Sequence, residues 1–178
     1  MSPRLLPALG LAALTFASGL PAWAGALEDL AADLGAASGE ARLRAAYATC
    51  LLHGGGAQGA TPAFAAAGWQ VWEDADGGFA EFGVEGEDHY GMAWLDGGFC
   101  MVATGENGTG SARAEELLRE VLARTGAPFE LRKTAEQCRT LVIGEIEAEI
   151  TGDGNDPACQ ADDSSAIRFY WPARAGGE

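Results

Sequence analysis

The chain has 178 residues, with 26 acidic residues against 11 Lys and Arg and a formal net charge of −15 at pH 7. Such a charge repels phosphate backbones and anionic headgroups, so nucleic acid is excluded as an expected partner and a lipid surface is disfavoured. Hydrophobic residues make up 48% of the chain, which supplies a packed core and argues against intrinsic disorder.

Met1–Arg4 is a short basic start, residues 5–20 are uncharged and mostly apolar, and Pro21-Ala22-Trp23-Ala24 places small residues at both positions of an A-x-A site. This pattern reads as a signal peptide, residues 1–24, cleaved after Ala24. An uncleaved anchor is the competing reading. Pro7, Gly10, Gly19 and Pro21 interrupt the run, and no basic cluster follows it. The expectation is an exported protein, periplasmic or extracellular, with no stable membrane insertion after cleavage. Residues 25–178 then form one disulfide-stabilised domain.

The spacing of Leu27, Leu30, Ala31 and Leu34, and of Leu43, Ala46, Tyr47, Cys50 and Leu51, predicts helices over 26–37 and 40–53. Thr61 as cap and Pro62 at the first position start a third, running to Ala67. From Trp69 the period falls to two, giving strands over 69–73, 79–84, 89–95 and 99–104. Asp-Gly-Gly turns at 76–78 and 96–98 make these strands a meander. Ser111 is read as the cap of a helix with an apolar stripe at Ala114, Leu117, Leu118, Val121 and Leu122, ending at Gly126. Three strands follow, at 129–133, 141–150 and 166–171. The order α-α-α-β-β-β-β-α-β-β-β predicts an α+β fold with helices packed on an antiparallel sheet.

Four cysteines in an exported chain read as two disulfides. Cys50 lies late in a core-facing helix and Cys100 in a central strand, so they are paired. Cys138 and Cys159 tie the start of the 141–150 strand to the loop after it. The cysteines are therefore unavailable as nucleophiles, and no G-x-S-x-G elbow is present. His53 and His89 are the only histidines and lack metal-ligand spacing. Glycines over 105–110 match the spacing of a phosphate loop, but Ser111 and Ala112 stand where its Lys and hydroxyl residue belong. Glu145, Glu147, Glu149 and the acids over 153–163 are calcium-like in chemistry, yet lack a complete calcium-loop pattern.

Trp69 and Trp72 are three apart and so point to opposite faces of a strand. One exposed indole beside acids makes a binding patch, assigned to Trp69, Trp72 and His89. The expected function is a non-enzymatic binding or interaction module with no cofactor, taking a protein or small-molecule partner of cationic character. The alternatives are a small exported hydrolase using carboxylate and histidine acid–base chemistry, and a calcium-binding structural protein.

Overall fold

The computed structural model describes residues 23–153 and 158–172. Residues 1–22 of the expected signal peptide lie outside them, as do Asn155 and Asp156 of the acidic loop. The described elements run α1 (Ala24–Ala31), α2 (Gly39–His53), α3 (Thr61–Ala66), β1 (Gln70–Asp74), β2 (Phe79–Gly83), β3 (His89–Trp94), β4 (Phe99–Thr104), α4 (Ser111–Thr125), β5 (Glu130–Lys133), β6 (Arg139–Ile143), β7 (Ile146–Thr151) and β8 (Ser165–Tyr170). The α+β mixture stands, but the order contains one strand more than the sequence pattern predicts.

The extra strand arises because 141–150 is a hairpin. Ile143 pairs with Ile146 and Leu141 with Ala148 across a turn at Gly144, whose φ is +62°. Glycine takes that left-handed conformation without a Cβ penalty. The apolar residues change parity at the turn, from Leu141 and Ile143 to Ile146, Ala148 and Ile150. In one continuous strand that shift would send half of them to the wrong face. Reversal keeps all five buried.

The eight strands form one sheet in the order β1-β2-β3-β4-β8-β7-β6-β5, antiparallel at every described pairing. Two meanders, β1–β4 and β5–β8, thus meet where β4 pairs with β8. Helix α4 carries the chain from the middle of the sheet to its far edge. Its whole apolar stripe is buried, and Tyr47 of α2 lies 6.2 Å from the Phe169 ring of β8. Helix α1 packs chiefly on α2 and α4 instead of on strands, so the expected single helix layer is corrected. Its short amphipathic stripe is satisfied by Leu27 against the other helices, because α2 and α4 already occupy the centre of the sheet.

Two expected caps also move. Ala60 and Gly110 occupy the cap positions, and Thr61 and Ser111 are the first helical residues. Ser111 instead fastens a distant segment: its backbone N–H and its hydroxyl both donate to the Ala161 carbonyl, at 3.0 and 3.1 Å.

Cys50–Cys100 joins α2 to β4 with both residues fully buried, and Cys138–Cys159 joins the start of the β6–β7 hairpin to the segment before β8. Beside the first bridge, the glycines ending α2 form a packing surface. The Gly54 carbonyl accepts from Gly98 N–H at 2.8 Å, and Trp171 N–H donates to the Gly98 carbonyl at 3.0 Å. A Cβ on Gly55 would stand 2.5 Å from Cδ1 of Trp171, and one on Gly97 would strike the Gly56 carbonyl.

Gly55→Ala is therefore expected to destabilise by about 1–3 kcal/mol through overpacking. Gly97→Ala adds strain at a φ of +80° to a backbone collision, whereas Gly86→Ala, at +75° with open space, isolates the strain alone. Urea midpoints at constant m should rank Gly97→Ala below Gly86→Ala, and equal midpoints would remove the collision from the account. Each disulfide is expected to contribute about 3–4 kcal/mol. Under graded reductant Cys138–Cys159 should open first, since Cys159 is only half-buried. Thiol labelling followed by peptide mass analysis gives the order.

Candidate functional site

Helices cover one face of the sheet. On the other face, strand register sets the side chains in rows. Trp72 of β1 pairs with Glu81, Glu81 with Met92, Met92 with Met101, and Met101 with Arg168. The adjacent row contains Gln70, Gly83, Tyr90, Ala103 and Ala166. Phe99, Met101, Ala103 and Ala166 form a buried cluster separate from the main core, with Tyr90, Met92 and Tyr170 packed against it. Strand β4 is consequently buried along its whole length, on both faces.

A groove of about 320 Å³ opens on this outer face, walled by Trp72, Tyr90, Met92 and Met101, with Glu81 and Gly83 between them. A Cβ on Gly83 would lie 3.8 Å from the Trp72 ring and 3.9 Å from Cβ of Tyr90, so the absent side chain leaves the floor open. Behind the floor, Phe82 stacks on Phe64 at 3.9 Å and meets Trp69 at 5.8 Å. That interlocked aromatic core gives the groove a firm backing. Trp72 itself is 57% exposed.

At the hairpin end the groove is bordered by Val84, Glu87 and His89. Glu87 forms an ion pair with Arg42 of α2 and lies 2.9 Å from Nδ1 of His89. Partial burial presses the Glu87 carboxyl upward, but Arg42 and His89 outweigh it and hold the pKa below the usual glutamate value. The trio pins the β2–β3 hairpin to α2. Further along, Gln70 donates through Nε2 to Glu85 at 3.2 Å.

Charge is unevenly distributed around this site. Between His53 and Arg113 the chain contains no Lys or Arg, while Glu73, Asp74, Asp76, Glu81, Glu85 and Asp88 all fall in that stretch. The strands that build the groove therefore present carboxylates with no Lys or Arg of their own segment.

The expected patch is corrected in one member. Trp69 is 5% exposed and packs edge-on against Phe64 at 4.9 Å, in the core. It precedes β1, with its N–H donating to the Phe64 carbonyl, so its indole faces inward while Trp72 faces out. Trp72 and His89 both border the groove. Glu81, Gly83, Met92 and Met101 belong to no motif of the sequence, and Tyr90 is legible there only as one of several strand aromatics expected mostly in the core. Their signal was present in the period-two alternation of Tyr90, Met92 and Trp94, combined with the segment's one-sided charge.

The other candidate residues lie elsewhere. His53 ends α2 and borders a separate cleft among α1, α2 and α3. Burial pushes its imidazole below the ordinary value, against the opposing pull of Glu28. The glycine loop before α4 is closed by protein: a Cβ on Gly110 would meet the Asp162 backbone. Thr104 Oγ1 donates to the Thr109 carbonyl at 2.9 Å within the same loop. Among the described residues no three of His, Cys, Asp and Glu converge to hold a metal ion, and every cysteine is disulfide-bonded. No family model, curated protein or solved structure matches the chain.

Arg42→Met should raise the Glu87 pKa, because burial then acts against His89 alone. The sign for stability follows from the lowered folded-state value. The contribution is complete above the ordinary glutamate pKa and is lost as pH falls through the depressed one. The variant should therefore show a flatter acid limb between about pH 5 and pH 3, in the carboxylate range. Carboxyl titration by NMR beside urea midpoints reads both effects, and an unchanged Glu87 titration would assign the shift to His89.

Proposed function

We propose that the protein is an exported, non-enzymatic binding module whose outer-face groove takes a cationic, partly apolar group. The observation that supports this reading is the pair of aromatic walls, Trp72 and Tyr90, across the open floor at Gly83, with Glu81 paired beside Trp72 in the adjacent row. An aromatic face attracts a cation by about 0.5–2 kcal/mol, more as water is displaced. Met92 and Met101 offer polarisable surface to the apolar part of the ligand. The net charge of −15 draws such ligands toward the surface.

Export is supported by the signal-like start of the chain and by two disulfides, which persist in oxidising compartments. No helix among the described residues is long and apolar enough to cross a membrane. The hydrolase alternative has the Glu87–His89 pair, but Glu87 is engaged by Arg42 and the groove lining contains no Ser, Thr, Cys or Lys to attack a substrate. The calcium alternative would rely on the loop of which only Asp153, Asp162 and Asp163 are described.

Titration of tryptophan fluorescence with tetramethylammonium and with its neutral isostere, neopentane, tests the reading. The cation should bind and the isostere should not. Trp72→Ala should weaken binding by about tenfold, the equivalent of about 1.4 kcal/mol. Glu81→Gln should weaken it less and reduce its salt dependence. Equal binding of cation and isostere would overturn the assignment.

A further inference from the structure

The edge of the sheet beside the groove points to the form of the ligand. Strand β1 pairs only with β2 in the described sheet, and all its residues except Val71 are exposed. Exposed edges are ordinarily blunted by Lys, Pro, a bulge or a covering element. Here Gln70-Val71-Trp72-Glu73-Asp74 contains neither Lys nor Pro, and its register with β2 is unbroken over the entire strand. The opposite edge, β5, carries Arg132 and Lys133. Of the two edges of the described sheet, β1 alone is free of Lys and Arg.

Its charges are Glu73 and Asp74, with Asp76 in the turn beyond. Like charges repel when the same edge of a second copy approaches, whereas a basic strand is attracted. We propose that β1 accepts an extended basic peptide as an additional strand, whose outward Lys or Arg lies against Trp72 and reaches toward Glu81; this inference rests on the cation-binding reading of the groove. Strands in a sheet lie about 4.8 Å apart, so an outward residue on the added strand stands beside Trp72 with Glu81 one strand further in. A lysine stem can cross that distance while its methylenes cover the indole. Main-chain bonds to β1 supply affinity and alternate side chains supply selectivity. A second copy presenting β5 is the competing occupant. Its Arg132 is already paired with Glu130 at 3.0 Å, and such head-to-tail addition makes a heterologous contact, not a self-complementary two-fold one.

The test uses calorimetric titration of the whole protein with a short peptide alternating lysine and valine. Two further peptides are N-methylated on one or the other alternate set of backbone amides, and tetramethylammonium reports on the groove alone. The parent peptide should bind, and methylating the set that faces β1 should weaken it by at least about tenfold, through several lost hydrogen bonds. Methylating the other set should have little effect, which separates strand addition from a change in peptide solubility. Trp72→Ala should weaken the peptide and tetramethylammonium alike, and Glu73→Lys should weaken the peptide alone. If tetramethylammonium binds but the peptide does not, or binds regardless of methylation, strand addition is overturned and the groove reading stands. Binding of neither probe overturns both. A methylation-sensitive peptide unaffected by Trp72→Ala, with no ammonium binding, overturns the groove reading and the proposed lysine position. Concentration-dependent self-association lost in Lys133→Glu would replace the peptide by a second copy.

Discussion

Strand β4 pairs with β8 at the centre of the sheet, and this contact joins two meanders that would otherwise be separate four-stranded sheets. The pairing runs from Phe99–Tyr170 to Thr104–Ser165 without interruption. On the helix side, Cys100 and Val102 enter the main core with Ile167 and Phe169, and the disulfide from Cys100 anchors α2 above them. On the outer side, Phe99, Met101 and Ala103 form their own apolar patch with Ala166. A strand buried on both faces is apolar except where a polar group finds a partner: Phe-Cys-Met-Val-Ala is apolar, and the Thr104 hydroxyl at its end donates to the Thr109 carbonyl. Every other strand takes its position from this one.

The groove follows from the same geometry. Helices shield one face, so outward side chains of β1–β4 meet solvent, and the buried patch around Met101 gives way toward β1 to half-exposed Met92 and exposed Trp72. Glycine at position 83 turns that slope into a concavity. The aromatic cluster of Phe64, Trp69 and Phe82 on the reverse face makes the backing stiff, since close-packed interiors resist deformation. Burial on one face and openness on the other are two consequences of helices packing on one side of the sheet only.

Arginine distribution sharpens the contrast between the two sides. Arg113 of α4 contacts Glu40, Glu116 and Glu120 at 2.7, 2.9 and 3.1 Å, and Arg44 of α2 contacts Glu120 at 2.6 Å. Solvent-exposed pairs of this kind each contribute little, but as a network they orient α2 against α4. The Arg113 guanidinium, through its hydrogen bond, holds the Glu40 carboxyl below the usual range. Arg44 does the same for Glu120. The cations are thus concentrated on the helices and on the second meander, leaving the first meander acidic.

Local pattern alone determined the helical stripe of α4, the β1–β4 meander and the presence of two bridges, because each depends on spacing or residue type along a short stretch. Trp72 could be placed opposite Trp69 by parity, but parity does not say which indole faces solvent. That choice was made by Phe64 and Phe82, which reach Trp69 from α3 and β2. The hairpin at Gly144 was concealed by a run of strand-forming residues on both sides, with the glycine and a parity change as its local signs. The meeting of β4 with β8 brings together residues 61 or more positions apart, and the groove depends on cross-strand neighbours such as Trp72, Glu81 and Met92. Periodicity specifies which side of its own strand a residue occupies. Its neighbour is specified only when the sheet closes, since strand order and register are properties of the assembled chain.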